Sequence, residues 1–472
     1  MGRCCGDTAA GPPHGGAPGV RMSKPPSMDP QFGRCMRQIR DASGVSLRAL
    51  AGRVYLSKSR LHEIEAGALP TLDQARRIDA ALHAGGELLA TVSGIQGDVM
   101  PPTDGLEFAT DLPGAVTIAA GLWRADMDRR GLLRQAAFAA VAFVTPAMRA
   151  LAALAPVEEP PAGSGRRPVE EPDVDTIRRM TVVLRDLDNA YGGGQIRETA
   201  VRFLAGDVAP LLAGRYDRRV GQLLMSAAAE LTLLTGWATH DVGLHGLAQR
   251  YLIQALRLAM GAGDLPLGAE VLAAMSQQAT YLRDHREAID LARAAGRLAA
   301  DAGVEAIRAE AAVIEAHGHA TAGDERACAV ALDRAERTLD RADRGADPQW
   351  IGYFDEAYLS ARFGQAFLAL GRGDLAGRFA RRSLDMDERY ARGRQFNLAL
   401  LARASAAAGD IDEAATVGVQ AVEAAGPLRS ARCGDYLRDL ANRLAPHCGL
   451  PAVRELADRV RHRSEPALSP GQ

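Results

Sequence analysis

Apolar side chains at Phe32, Met36 and Ile39 recur at the three- and four-residue spacing of a helix with one buried face, and Arg34, Arg37 and Arg40 fall outside that face. The pattern then restarts behind two serines. Ser46 stands where it can cap "LRALAGRV", and Ser57 where it can cap "KSRLHEIEAG", which Gly67 ends. Thr71 can open a fourth helix, "TLDQARRIDAALHAGG", closed by glycines. Residues 31–92 therefore read as a compact cluster of short helices.

From 176 to 462 the amphipathic helical pattern is continuous, broken by turns such as "GRGD" (371–374) and "AAGD" (407–410), and it repeats. Small residues at Ala248, Ala288, Cys328, Ala376 and Ala414 recur at intervals of 40, 40, 48 and 38. Seven positions on, Ala255, Ala295, Ala335, Ser383 and Ala421 are small again, and so are Gly236, Ala316, Gly364 and Ala402 twelve before. Side chains of that size fit where two helices of one hairpin cross, because bulk there would push the backbones apart. The positions resemble those of the tetratricopeptide repeat as a broad class, although the units run near forty residues and mostly lack that family's Trp, Tyr and Pro. The resemblance implies an α-solenoid of TPR-like hairpins with a concave face; a generic stack of antiparallel helices is the plainer alternative.

Residues 93–175 read as a linker containing one apolar helix at about 129–154. Arg129 and Arg130 ahead of an apolar run look like a twin-arginine export signal, but more than a hundred residues precede them. The uncharged run from Gln135 to Met148 has 14 residues and contains Pro146, whereas a bilayer span takes about 18 to 20. A packed internal helix and no membrane role are expected; association with a membrane through 131–155 is the minor alternative. The Pro- and acid-rich stretch 155–175 has no core of its own to offer. Residues 1–30, rich in Gly, Pro and Ser, and residues 463–472 are expected to be a disordered leader and tail, with Met22 or Met28 as alternative starts to Met1.

Composition narrows the class. A chain of 472 residues with 47% hydrophobic and 5% aromatic side chains suits more than one domain of close-packed helices, an all-α protein. Net charge is −2, but 31–67 holds seven Arg or Lys (34, 37, 40, 48, 53, 58, 60) against three acids (41, 63, 65), a local +4 that leaves −6 elsewhere. A basic module is thus joined to a mildly acidic body. Lys24 and Lys58 are the only lysines among 56 basic residues, a bias that carries no functional meaning here. Cysteines at 4, 5, 35, 328, 433 and 448 show no C-x-x-C spacing, which fits a reducing cytoplasm.

On the third helix Leu61 and Ile64 point inward, so Ser59, His62 and Glu63 face out with Lys58 and Arg60 beside them. That face starts at a helix N-terminus, whose free N–H groups attract phosphate. Ala51, Leu61, Ile64, the two serines and the ending "IEAG" resemble the helix-turn-helix of the phage-repressor-like (XRE, Cro/cI-type) family over 31–92. The resemblance implies double-stranded operator DNA as partner, with Lys58, Ser59 and Glu63 at base-reading positions and Ser46, Ser57, Arg48 and Arg60 on the phosphate backbone. Two positions depart from the family: Tyr55 replaces the turn glycine, and Leu47 replaces a frequent phosphate-reaching glutamine. Glu63 is informative, since an acid on a DNA-facing surface must accept from cytosine or orient a neighbouring cation.

Enzyme signatures are missing: the chain has no G-x-x-x-x-G-K-[ST], H-E-x-x-H or G-x-S-x-G. "YGGGQ" (191–195) reads as a turn between helices, His317 and His319 as residues on opposite helix faces, and His240 with His245 as too poorly spaced for one metal. No cofactor, metal or catalytic residue is expected. The expected function is a cytoplasmic DNA-binding transcriptional regulator, associated with the nucleoid when bound. Related bacterial regulators pair the same two parts, some holding a short peptide in the concave face, which implies an unidentified effector, peptide or protein partner. A homodimer is expected, because one small module buries little surface on DNA. The alternative is a protein-interaction scaffold whose helix-turn-helix binds DNA weakly or not at all.

Overall fold

The structure is a computed structural model. It describes residues 30–464 except positions 55, 69, 71, 83, 85–87, 89–104, 128–135, 153–162 and 164, and all its regular elements among these are helical. The chain divides into two compact units at Pro101/Pro102.

The first unit contains α1 (Pro30–Ala42), α2 (Leu47–Val54), α3 (Lys58–Glu65) and α4 (Leu72–Ala81). Phe32, Met36, Leu50, Val54, Leu61, Ile64, Ala75, Ile78 and Leu82 form its buried core. Gly33 lets α1 settle on the end of α3, since a Cβ there would lie 2.2 Å from the Ile64 carbonyl oxygen. The expectations placed on the leader, on Tyr55 and on Thr71 lie outside the described residues.

The second unit is a stack of helical hairpins, a solenoid. Its paired helices are α10 (Arg218–Asp241) with α11 (His245–Ala262), α12 (Leu265–Tyr281) with α13 (His285–Ala302), α14 (Glu305–Thr321) with α15 (Glu325–Leu339), α16 (Glu356–Ala369) with α17 (Gly373–Arg382), and α18 (Ala391–Ala408) with α19 (Ile411–Ala425). Helices α20 (Ala431–Leu444) and α21 (Pro451–Ser464) close the series. Ala248, Ala288, Cys328, Ala376 and Ala414 all fall on the second helix of a hairpin and are buried, as the spacing required. At Gly364 an added Cβ would meet Leu400 at 3.0 Å and the Ala376 carbonyl at 3.3 Å, which is why the crossing tolerates only a small residue.

Turns within hairpins share one chemistry. Gly243, Gly323 and Gly371 take positive φ two residues after the first helix ends, and Asp324 caps the helix that follows one of them. Between α12 and α13 the same place is held by Arg283, with φ of 69°.

The expected linker at 93–175 is not a linker in its described parts. Helices α5 (Leu112–Met127) and α6 (Val144–Ala152) pack on α11, and the latter is shorter than the apolar helix anticipated at 129–154, whose first residues lie outside the description. Gln254 and Arg257 of α11 donate to the carbonyls of Gly105, Glu107 and Ala109. The described end of the Pro- and acid-rich stretch, from 165 on, runs beside the 213–216 turn, where Val169 N–H donates to the Arg215 carbonyl at 2.9 Å and Val169 itself is buried. Its side chains then start a long helix, α7 (Glu171–Tyr191), through a capping box between Glu170 and Asp173. The reason is tertiary: Glu170, Glu171 and Asp175 face solvent, and the backbone finds partners in a distant loop.

Helix α8 (Gly193–Phe203) follows α7 directly, continuing through a π turn (Leu204–Val208) into the short α9 (Ala209–Leu212). The glycines of "YGGGQ" serve this junction: the Gly193 amide donates to Asp241 Oδ2 at 2.9 Å and the Gly194 amide to the Arg429 carbonyl at 2.9 Å. The amides a phosphate would have needed are therefore occupied by the chain itself. Among the described residues no helix is long and apolar enough to cross a membrane.

Candidate nucleic-acid interface

The third helix owes its position to two devices. Ser57 accepts from the Arg60 amide at 3.1 Å and fixes the N-terminus, and Leu61 with Ile64 anchors the inner face with no exposed area. Ser46 does the same for α2, accepting from the Ala49 amide at 3.1 Å. Accepting leaves each hydroxyl its own proton to donate outward.

Lys58, Ser59, His62 and Glu63 are all exposed on one side of α3, and Arg48 is exposed on α2. Arg60 is different from expectation. Its guanidinium donates to Glu63 Oε2 at 3.2 Å and to Gln74 Oε1 of α4 at 3.3 Å, which turns it along the protein surface. Glu63 thus orients a neighbouring cation, and its charge is offset by a partner one helical turn away.

Leu47 packs against the core of the unit, which accounts for the missing polar anchor at that position. The arginines of α1 also divide. Arg34 is exposed, whereas Arg40 is drawn inward to Glu65 (Nε to Oε1, 2.8 Å) and to the Val45 carbonyl (3.0 Å). Arg37 reaches the other oxygen of Glu65 at 3.4 Å. Glu65 is a residue that reasoning from sequence missed. The signal was present, because Glu65 follows Leu61 by four residues on the buried side of the same helix. Beside these pairings, Arg34, Arg48, Arg53 and Lys58 are exposed cations of the unit, a surface suited to a polyanion.

The solenoid holds a second set of charged side chains on α7, α10, α18 and α20. Arg392 of α18 reaches Asp188 of α7 at 2.7 Å and Asp241 of α10 at 3.6 Å, and Arg432 of α20 meets Asp241 at 2.8 Å. Burial works to raise the Asp241 pKa, but Arg432, Arg392 and the Gly193 amide outweigh it and hold the carboxylate at about 2. At Asp188 burial prevails over Arg392 and the pKa rises.

Farther along, the Tyr353 hydroxyl lies 2.8 Å from Glu270 Oε1 and 2.9 Å from Glu310 Oε1. One phenolic proton cannot serve both carboxylates, so one carboxyl group must carry a proton and donate back. Burial is the main cause, and both carboxyl groups are displaced upward from their ordinary range. Tyr358 and Arg362 of α16 complete the cluster from the other side.

His317 and His319 do point to different surroundings. His319 lies by Glu315 and Arg293, while burial and the nearby Arg362 and Arg403 lower His317 to a pKa of about 3. For His240 and His245 the linear spacing misleads: the turn between α10 and α11 brings their Nδ1 atoms to 3.0 Å, under the ring of Tyr281. Among the described residues no group of three or more His, Cys, Asp or Glu is arranged to hold a metal ion.

Residues 31–92 match the family model of the helix-turn-helix domain. No curated protein matches the chain closely enough to count as a relative. The N-terminal unit is thus a helix-turn-helix domain, which supports a DNA-binding regulator, followed by a helical C-terminal region.

Proposed function

We propose that this protein is a sequence-specific transcriptional regulator of the XRE type. In this reading α3 enters the major groove of operator DNA with Lys58, Ser59, His62 and Glu63 toward the bases, while Ser46, Arg48 and Ser57 position it on the phosphates. Arg60 braces Glu63 and reaches phosphate only by leaving Gln74. The carrying observation is the serine-capped α3, whose polar side is exposed while Leu61 and Ile64 are fully buried beneath it.

The hairpin body is read as a TPR-like sensor that takes an effector, a peptide or a protein partner on its inner face and supports a homodimer in a bacterial cytoplasm. The partly exposed side chains of Tyr281, Tyr353 and Arg362 supply the flat and polar surface such a ligand would use, with the buried Glu270 and Glu310 beneath them. The protein is proposed to act without catalysis.

Pull-down of sheared genomic DNA at two salt concentrations tests the DNA reading. Enrichment of discrete fragments that is lost in a Lys58→Ala, Ser59→Ala double variant supports it. Enrichment unchanged by that variant sinks it. The inward packing of Leu47 and the sideways tie of Arg60 favour the second reading, a scaffold with weak DNA binding, and that reading requires enrichment without sequence preference.

A further inference from the structure

Helix α7 turns one side to the solenoid and leaves the other uncovered. Val174, Ile177, Thr181, Leu184 and Asp188 are buried at spacings of three and four. On the opposite side Val182 is 51% and Val183 54% exposed, with Leu187 (37%) and Tyr191 (46%) extending the patch toward the C-terminal end. Two adjacent exposed valines in a helix are unfavourable both for solvation and for helix propensity. Arg179 and Asp186 flank them on the same stripe, both exposed and neither engaged in an ion pair among the described residues.

The arrangement is complementary to itself. If a second α7 lies antiparallel across a two-fold axis between positions 182 and 183, Val182 of one copy meets Val183 of the other. Residue 179 then faces residue 186, so Arg179 meets Asp186 on both sides of the axis. One helix thereby provides the apolar centre and both charged ends of an isologous contact, and the charges oppose correctly only in the antiparallel arrangement. A parallel pair would set Arg179 against Arg179.

We infer that the exposed face of α7 is the dimer interface of this protein, formed by a second copy of the same chain packing antiparallel through Val182 and Val183 with Arg179 paired to Asp186. The inference deepens the two-copy reading of the proposed regulator by naming the surface. It does not depend on DNA. Helix α7 is 21 residues long, about 31 Å at 1.5 Å per residue, so the contact is of modest size and the dimer should dissociate on dilution.

Sedimentation velocity of the full chain without DNA is the test. The wild type is expected to pass from monomer to dimer with rising concentration. Arg179→Glu and Asp186→Arg each place two like-charged pairs across the axis, and each is expected to weaken the dimer by about tenfold or more. Mixed in equal amounts, the two variants can form a heterodimer in which the two substituted side chains face one another and the native Asp186 of one copy faces the native Arg179 of the other. Both contacts are then again between opposite charges, and self-association should return. This return also shows that neither variant had merely misfolded. The inference is overturned if the wild type stays monomeric at high micromolar concentration, if the single variants dimerise like the wild type, or if the mixture of folded variants remains monomeric. Each outcome is read without DNA, so loss of DNA binding alone would count against the regulator and leave this result standing.

Discussion

Arg40 at the end of α1 grips Glu65 at the end of α3 with Nε and Oε1 2.8 Å apart, and the two side chains are only 14% and 5% exposed. The last turn of α3 is therefore fastened to the first helix by a charge pair withdrawn from water. Removing Glu65 takes from Arg40 its buried counter-charge and leaves it the exposed Asp41 and the Val45 carbonyl, and Arg37 loses its acid as well. Glu65→Ala is expected to destabilise the N-terminal unit by about 3 kcal/mol, seen as earlier unfolding in urea and faster amide exchange along α3. A loss below about half a kcal/mol would show that Arg40 relaxes to solvent without consequence.

Lys58 lies exposed at the start of α3. As a phosphate or base contact it should matter in proportion to the counterions it releases. Lys58→Ala is expected to weaken DNA binding and to reduce the slope of log K against log salt by about one unit. A weaker affinity with the slope unchanged would assign Lys58 a role in holding α3 in place.

Much of this first unit is legible locally. The two serine caps, Leu61 and Ile64 follow from spacing, since a helix decides which of its own residues lie inside. Partners across the fold are another matter. Arg40 and Glu65 are 25 residues apart and Arg392 and Asp188 are 204 apart, and no periodicity joins such positions. His240 and His245 show the opposite failure, because helical spacing does not carry across a turn that ends one helix and begins the next. The stretch at 165–175 is misread for a related reason: its composition describes its side chains, while its order comes from backbone bonds to the 213–216 turn.

The carboxyl proton held in the cluster of Glu270, Glu310 and Tyr353 has a measurable sign. Burial first, and Glu310 next, raise the Glu270 carboxyl well above its ordinary value. Its stabilising share is complete below the unfolded carboxyl pKa and is lost as pH rises toward the folded one, with a slope of up to about 1.4 kcal/mol per pH unit. Glu270→Gln supplies a neutral donor in place of the proton. Its melting temperature relative to wild type should rise between acid and mildly alkaline pH, and a difference that is flat across that range would refute the proton held there.

Arg283 holds a left-handed turn position that Gly243, Gly323 and Gly371 fill in other hairpins. Relieving that conformation is worth about 1 kcal/mol. Arg283→Gly is expected to stabilise the body by that amount in urea denaturation, despite the added freedom of the unfolded chain. Destabilisation would reveal that the Arg283 side chain holds something the turn needs.

Arg392 lies between two buried carboxylates, from α7 and from α10. Arg392→Met keeps much of the volume and leaves Asp188 and Asp241 with less positive charge, so a loss of roughly 3 kcal/mol is expected. Because Asp188 already has a raised pKa, it can take up a proton when the guanidinium goes, and the loss should be smaller at acid pH. Equal loss at all pH values would place the damage in packing alone.

That same arginine limits how this body can change in length. In an open array, a hairpin can be gained or lost at little expense, since each touches only its neighbours. Here a side chain near position 390 must arrive opposite one near 190, and inserting or deleting a single hairpin between them would carry it out of reach. Together with Arg432 on Asp241 and the Gly194 amide on the Arg429 carbonyl, it fixes the number of hairpins in this segment, as a hoop fixes the number of staves in a barrel.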